Sequence, residues 1–203
     1  MSRFLAALAL PALLAGCAVH RIVITPDVAQ VGVGDVHPID QNVGYVISPE
    51  DRVKVVTTPG GSGELLLYKP YAELEPGLLK VLSNVFKRAY PLASAGDQKT
   101  IRDKGITIVF VPVVQTDSSS DSSFTWPPTK FSVTIDCRAV DATGKVLWEK
   151  RVVGDGEATF SEFFMDHPLA ARRASMKALT QLQVELIAAP AFRAPVGAAP
   201  AGN

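Results

Sequence analysis

The chain has 203 residues, 20 basic and 20 acidic side chains, and no formal net charge, so it carries no field that would gather nucleic acid onto its surface. An apolar share of 47% supports one domain with a substantial core, while two cysteines are too few for a disulfide-stapled scaffold.

In chain order, the first sixteen residues have the three parts of an export signal. Arg3 supplies positive charge, Phe4 to Leu14 is apolar, and small residues follow. The segment is too short to span a bilayer permanently. The junction Leu14-Ala15-Gly16-Cys17 resembles the lipobox of bacterial lipoproteins. That resemblance implies cleavage before Cys17, a diacylglyceryl thioether on its sulfur, a further acyl chain such as palmitate on its amine, and hence attachment to a membrane. Ala18 in the next position implies the outer membrane at its periplasmic face, with the inner membrane as the alternative. With Cys17 acylated, Cys137 has no partner for a disulfide.

Residues 17–44 mix Pro26, Pro38, Gly32, Gly34 and Gly44 with scattered Val and Ile, which reads as a flexible tether holding one short strand at Ile22 to Ile24. Two β-rich runs, Arg52 to Val56 and Glu64 to Tyr68, flank the turn-forming Thr57-Thr-Pro-Gly-Gly-Ser-Gly63, so a β-hairpin is predicted. Leu74, Leu78, Val81, Leu82, Val85 and Phe86 then recur at helical spacing, giving an amphipathic helix that ends near Pro91.

Ile106 to Val114 is a continuous apolar run, a strand covered on both faces, although Pro112 cannot donate to a ladder and points to an edge or a bulge. Strict alternation from Phe131 to Ala139 places Phe131, Val133, Ile135 and Cys137 on a core face and Ser132, Thr134, Asp136 and Arg138 in water. Asp141-Ala-Thr-Gly144-Lys turns the chain into a partner strand, Val146 to Val153. A last helix starts at Asp166-His-Pro168 with Asp166 as its cap, and Leu169, Met176, Leu179, Leu182 and Leu186 form its buried stripe.

The expected fold is α+β, a two-layer arrangement of an antiparallel-rich mixed sheet with two amphipathic helices packed on one face. A signal peptide at 1–16, a lipidated tether at 17–44, one periplasmic domain at 45–188 and a disordered Ala/Pro-rich tail at 189–203 complete the layout. This order of elements is similar, at the level of topology, to small periplasmic lipoprotein domains of the curli-secretion, penicillin-binding-protein-activator and transport-auxiliary types.

Two segments are candidates for partner binding. Trp126 precedes Pro127-Pro128 at the end of an Asp/Ser-rich connection that starts at Asp117, and Phe163-Phe164-Met165 puts three large apolar groups between a strand and a helix. The acids of the first connection lack the glycine and distal glutamate of a calcium loop. Enzyme motifs are missing: there is no Gly-x-Ser-x-Gly, no His-Glu-x-x-His and no phosphate loop. His20 and His37 fall in the tether, so His167 beside Asp166 is the only histidine on an ordered element. The expectation is a non-catalytic envelope lipoprotein with no cofactor and no metal, binding the membrane through Cys17 and an envelope protein through its apolar loops. The alternatives are a carrier enclosing a lipid or small apolar ligand and, third, a hydrolase centred on His167.

Overall fold

The computed structural model describes residues 19–32, 37–60, 64–120 and 129–193. Among the described residues, eight strands and five helices follow one another as β1 (Val19–Arg21), β2 (Ile39–Val46), α1 (Pro49–Val53), β3 (Val56–Pro59), β4 (Leu65–Tyr68), α2 (Pro70–Val85), β5 (Phe86–Leu92), α3 (Gln98–Lys104), β6 (Ile106–Ser120), β7 (Thr129–Asp141), β8 (Val146–Ala158), α4 (Phe160–Met165) and α5 (Leu169–Ala188). The main sheet has the order β5-β2-β6-β7-β8, and a smaller one the order β1-β4-β3. In the main sheet β2 pairs in parallel with both β5 and β6, whereas β6, β7 and β8 run antiparallel. The fold is therefore α+β with mixed sheets, as the patterning predicts.

The β7–β8 hairpin follows its sequence signals closely. Phe131, Val133, Ile135, Cys137 and Ala139 all face the core, and Gly144 takes a left-handed conformation (φ +88°) in the turn. One carboxylate oxygen of Asp141 accepts from the amides of Thr143 (2.8 Å) and Lys145 (3.0 Å), which closes that turn. Burial pushes the Cys137 thiol up to about 12, so it stays an unreactive thiol inside the sheet. Pro112 sits where its missing donor costs little: β2 pairs with β6 only as far as Phe110, leaving one side of Pro112 without a ladder.

Other elements differ from expectation. Residues 19–32 and 37–44 are not a free tether. β1 opens at Val19, Ile22 and Ile24 are buried in the main core, and Ile39–Val46 is an inner strand of the main sheet. The strand predicted at Ile22–Ile24 thus lies three residues earlier, at Val19–Arg21, where β1 runs parallel to β4. The first hairpin forms between β3 and β4, while Arg52 and Val53 belong to α1, capped by Ser48. Helix α2 starts at Pro70 and yields at Phe86 to β5, an edge strand where Pro91 is tolerated. Asp117 to Ser120 extend β6 rather than forming a loop.

Helices α2 and α5 pack on one face of the main sheet. Helix α3 covers the other face near β5, β2 and β6, where Ile101 joins Leu92, Ile106, Val109 and Val140 in a second cluster. The stripe of α5 is also reshaped: Leu179, Leu182 and Leu186 are buried as expected, but Ala170, Ala174 and Ala178 make the contact with β8, and Leu169 and Met176 are only partly buried. Of the predicted tail, residues 189–193 are ordered, with a 3-10 turn at Pro190–Phe192 that buries Phe192 against Phe86, Phe110 and Trp148, and residues 194–203 lie outside the described residues.

Candidate functional site

Three parts of the sequence meet at one end of the small sheet. β1 carries His20, Glu64 leads into β4, and His167 lies in the turn between α4 and α5. Parallel pairing of β1 with β4 brings His20 near Glu64, since Val19 is opposite Leu65. The His20 and His167 rings stack with centroids 4.2 Å apart, and the edge of His167 meets Phe163 at 4.8 Å. Nε2 of His20 stands 3.3 Å, and Nε2 of His167 3.5 Å, from the same carboxylate oxygen of Glu64.

Those distances suit ion pairs, yet the Nε2 of His20 and this oxygen of Glu64 are shielded from solvent with no hydrogen bond directed at either. A buried polar atom left in that condition costs on the order of 1–3 kcal/mol. His20 is therefore not a tether residue, and the carboxylate facing His167 is Glu64 rather than Asp166. The Asp166 carboxylate bonds Arg172 instead of capping α5, and Pro168 takes the N-cap position. The acid beside His167 in sequence is thus held by an arginine.

Helix α4 forms where a loop is predicted. A capping box starts it: the Thr159 hydroxyl accepts from the amide of Glu162, and the Glu162 carboxylate accepts from the amide of Thr159 (2.9 Å). Arg173 binds the same carboxylate at 2.9 Å and, with Thr159, holds it down to about 2. Arg172 and Arg173 of α5 thus grip the two ends of α4 through Asp166 and Glu162. On this clamped turn Phe163 points into the core at 2% exposure, while Phe164 and Met165 stand out at 68% and 84%. Of the three docking residues predicted in this segment, Phe164 and Met165 are exposed and Phe163 is buried. Cys17 and Trp126 lie outside the described residues.

Among the described residues, little space is left between α2, α5 and the sheet. The space bounded by Ile47, Tyr71, Leu78, Val114, Ile135 and Leu179 holds about 10 Å³, no more than a single water needs. A larger open groove of about 870 Å³ runs along the outer face of α5, with Pro26, Leu169, Met176 and Val184 as its apolar part and Arg172, Arg173 and Lys177 among its charged groups. Among the described residues no helix is long and apolar enough to cross a membrane.

No protein-family model matches the sequence, and no curated protein matches it. Among solved structures the fold is similar to a Xanthomonas campestris protein of family DUF330 (TM-score 0.43, 11% identity, covering 84% of this chain and 92% of that one). It is also similar to a minor lipoprotein from Acinetobacter baumannii (TM-score 0.45, 9% identity, 74% and 94%) and to an uncharacterized lipoprotein B from Nitrosomonas europaea (TM-score 0.37, 14% identity, 74% and 87%).

Proposed function

We propose that this protein is a non-catalytic lipoprotein of the cell envelope, anchored through Cys17 to the periplasmic face of the outer membrane, which docks an envelope protein through Phe164 and Met165 of α4. The observation that carries this reading is the spacing between anchor and fold. Val19 opens β1 two residues after the lipobox cysteine, so at most about 7 Å of chain separates the acylated residue from the small sheet. The domain then works at the bilayer surface, not at the end of a long tether. Helix α4 lies at the same end, linked to β1 through Phe163, His167 and His20.

Two or three acyl chains already hold such a protein firmly, so a patch of two side chains adds little to membrane attachment. A rigidly held aromatic and an adjacent methionine suit the pocket of a protein partner better. Photo-crosslinkers placed at Phe164 and Met165 in intact cells test this. One envelope protein captured from both positions, and lost in a Met165→Asp background for the Phe164 probe, is the expected result. Crosslinks to lipid alone would overturn the docking role and leave only a membrane seat. A Cys17→Ser protein that remains with the membrane fraction would overturn the anchor.

The α5 groove favours a second reading, in which the protein presents an apolar ligand at its surface, since its size suits a small molecule. Native mass spectrometry of the membrane-extracted protein separates the two: a bound small molecule supports the carrier, and a ligand-free chain counts against it.

A further inference from the structure

We infer that His20, Glu64 and His167 form a zinc site that fastens β1 and the junction of α4 and α5 to the β3–β4 hairpin. Two imidazoles and one carboxylate are a donor set that zinc favours, and a fourth position left to water completes its tetrahedron. The spacing of each histidine from Glu64 agrees with this. Zinc bonds of about 2.0–2.1 Å to nitrogen and oxygen set ligand atoms about 3.3–3.4 Å apart in a tetrahedron. The carboxylate oxygen of Glu64 stands 3.3 Å from Nε2 of His20 and 3.5 Å from Nε2 of His167. All three donor atoms fall within 4.8 Å of one another.

An ion also accounts for what the side chains alone leave unexplained. Nε2 of His20 and the Glu64 oxygen are shielded from solvent without a hydrogen bond, and they stand 3.3 Å apart. A metal between them gives each atom a partner at once. Stacking holds both imidazoles on one side of Glu64, and binding requires the rings to turn apart so that their nitrogen lone pairs converge. Each of the three side chains is partly exposed, which leaves the ion a way in. Thiolate does not compete, because Cys137 is buried within the sheet.

The full-length protein, extracted in detergent, freed of metal with a chelator and then loaded with zinc chloride, provides the test. Elemental analysis after desalting should find about one zinc per chain in the wild type and in His37→Ala, and none retained in His20→Ala or His167→Ala. Glu64→Gln should weaken binding roughly tenfold or more. Zinc should also raise the melting temperature of the wild type and leave His20→Ala unmoved. Equal zinc in the wild type and in a His20→Ala, His167→Ala double variant overturns the site, as does loss of zinc in His37→Ala. Should the alanine variants fail to fold, cobalt loading of the wild type decides: an intense tetrahedral visible spectrum supports the site, and the weak spectrum of the hydrated ion overturns it.

Discussion

Gly154 of β8 lies against the backbone of Ala174 and Ala178 in α5, so close that a methyl group at Gly154 would overlap the Ala174 carbonyl and the Ala178 amide. Gly156, two residues on along the same face, meets Ala170 and Ala174 in the same way. Small residues on both elements let the helix settle directly on the strand, and the contact is made by backbone, which cannot move aside as a flexible side chain could.

A methyl group at this seam should therefore be expensive. Gly154→Ala and Gly156→Ala should each destabilise the fold by about 2–3 kcal/mol, the upper range for an overpacked interior. Gly32→Ala, where nothing lies within 4 Å of the added carbon, should stay within about 0.5 kcal/mol. Urea titrations of the three variants check this. Equal midpoints for Gly154→Ala and Gly32→Ala would mean that α5 slides freely over β8.

Phe192 closes the core from a segment whose composition reads as a tail. Its ring meets Phe86 and Phe110 edge to face, at 5.5 and 5.7 Å, and packs on Trp148 at 5.6 Å. The Phe192 carbonyl also accepts from the Gln41 amide at 3.2 Å, which fixes the turn to β2. Phe192→Ala should cost about 3–5 kcal/mol, as for other fully buried aromatic rings. Thermal unfolding of the variant near the wild-type midpoint would show the turn to be dispensable.

Phe192 illustrates where sequence patterning stops being informative. The β7–β8 hairpin was legible because each strand keeps one face apolar for many residues, and periodicity reports such faces well. Strand β2 was not, because it is flanked by prolines and glycines and buries only Val43, Gly44 and Tyr45 consecutively, which shows no period. Strand β5 hid behind α2: Lys87 and Arg88 continue the polar side of a helix while in fact lying on a sheet edge. The candidate site was illegible for a different reason. His20, Glu64 and His167 come from segments far apart in the chain, and only the parallel pairing of β1 with β4 and the return of α5 unite them. A long-range parallel pair leaves no local signature. The histidines were visible as residues, but the order of the segment around His20 was not.

Within α4, neighbours of the same kind should behave in opposite ways. Phe163 is buried under the small sheet, where its ring touches His167, so Phe163→Ala should lose about 3–5 kcal/mol. Phe164→Ala and Met165→Ala remove exposed groups and should leave stability within about 0.5 kcal/mol while abolishing partner capture. A large loss of stability in Phe164→Ala would assign that ring to the core instead of to a partner.

Arg52, Glu75 and Tyr45 tie α1, α2 and β2 together and give the fold a pH dependence of known sign. The Arg52 guanidinium donates two bonds to the Glu75 carboxylate, at 2.9 and 2.8 Å, and the Tyr45 hydroxyl donates a third at 3.0 Å. Arg52 is the main reason that the Glu75 carboxyl lies below its ordinary value of 4.5. A group depressed in this way stabilises the fold fully above its unfolded value and loses that contribution as pH falls through its folded value. Tyr45 is the opposite case. Burial, then Glu75, push its hydroxyl from 10.0 up to about 12, so its contribution is complete below pH 10 and disappears as pH rises toward 12. Glu75→Gln should cost about 1–2 kcal/mol at pH 7, as expected for a partly buried bidentate pair, and should flatten the acid limb below pH 4.5. Tyr45→Phe should leave the acid limb intact and reduce the loss of stability between pH 10 and 12. Urea midpoints measured across pH for the wild type and both variants test this, and an acid limb equally steep in Glu75→Gln would place the titrating carboxylate elsewhere.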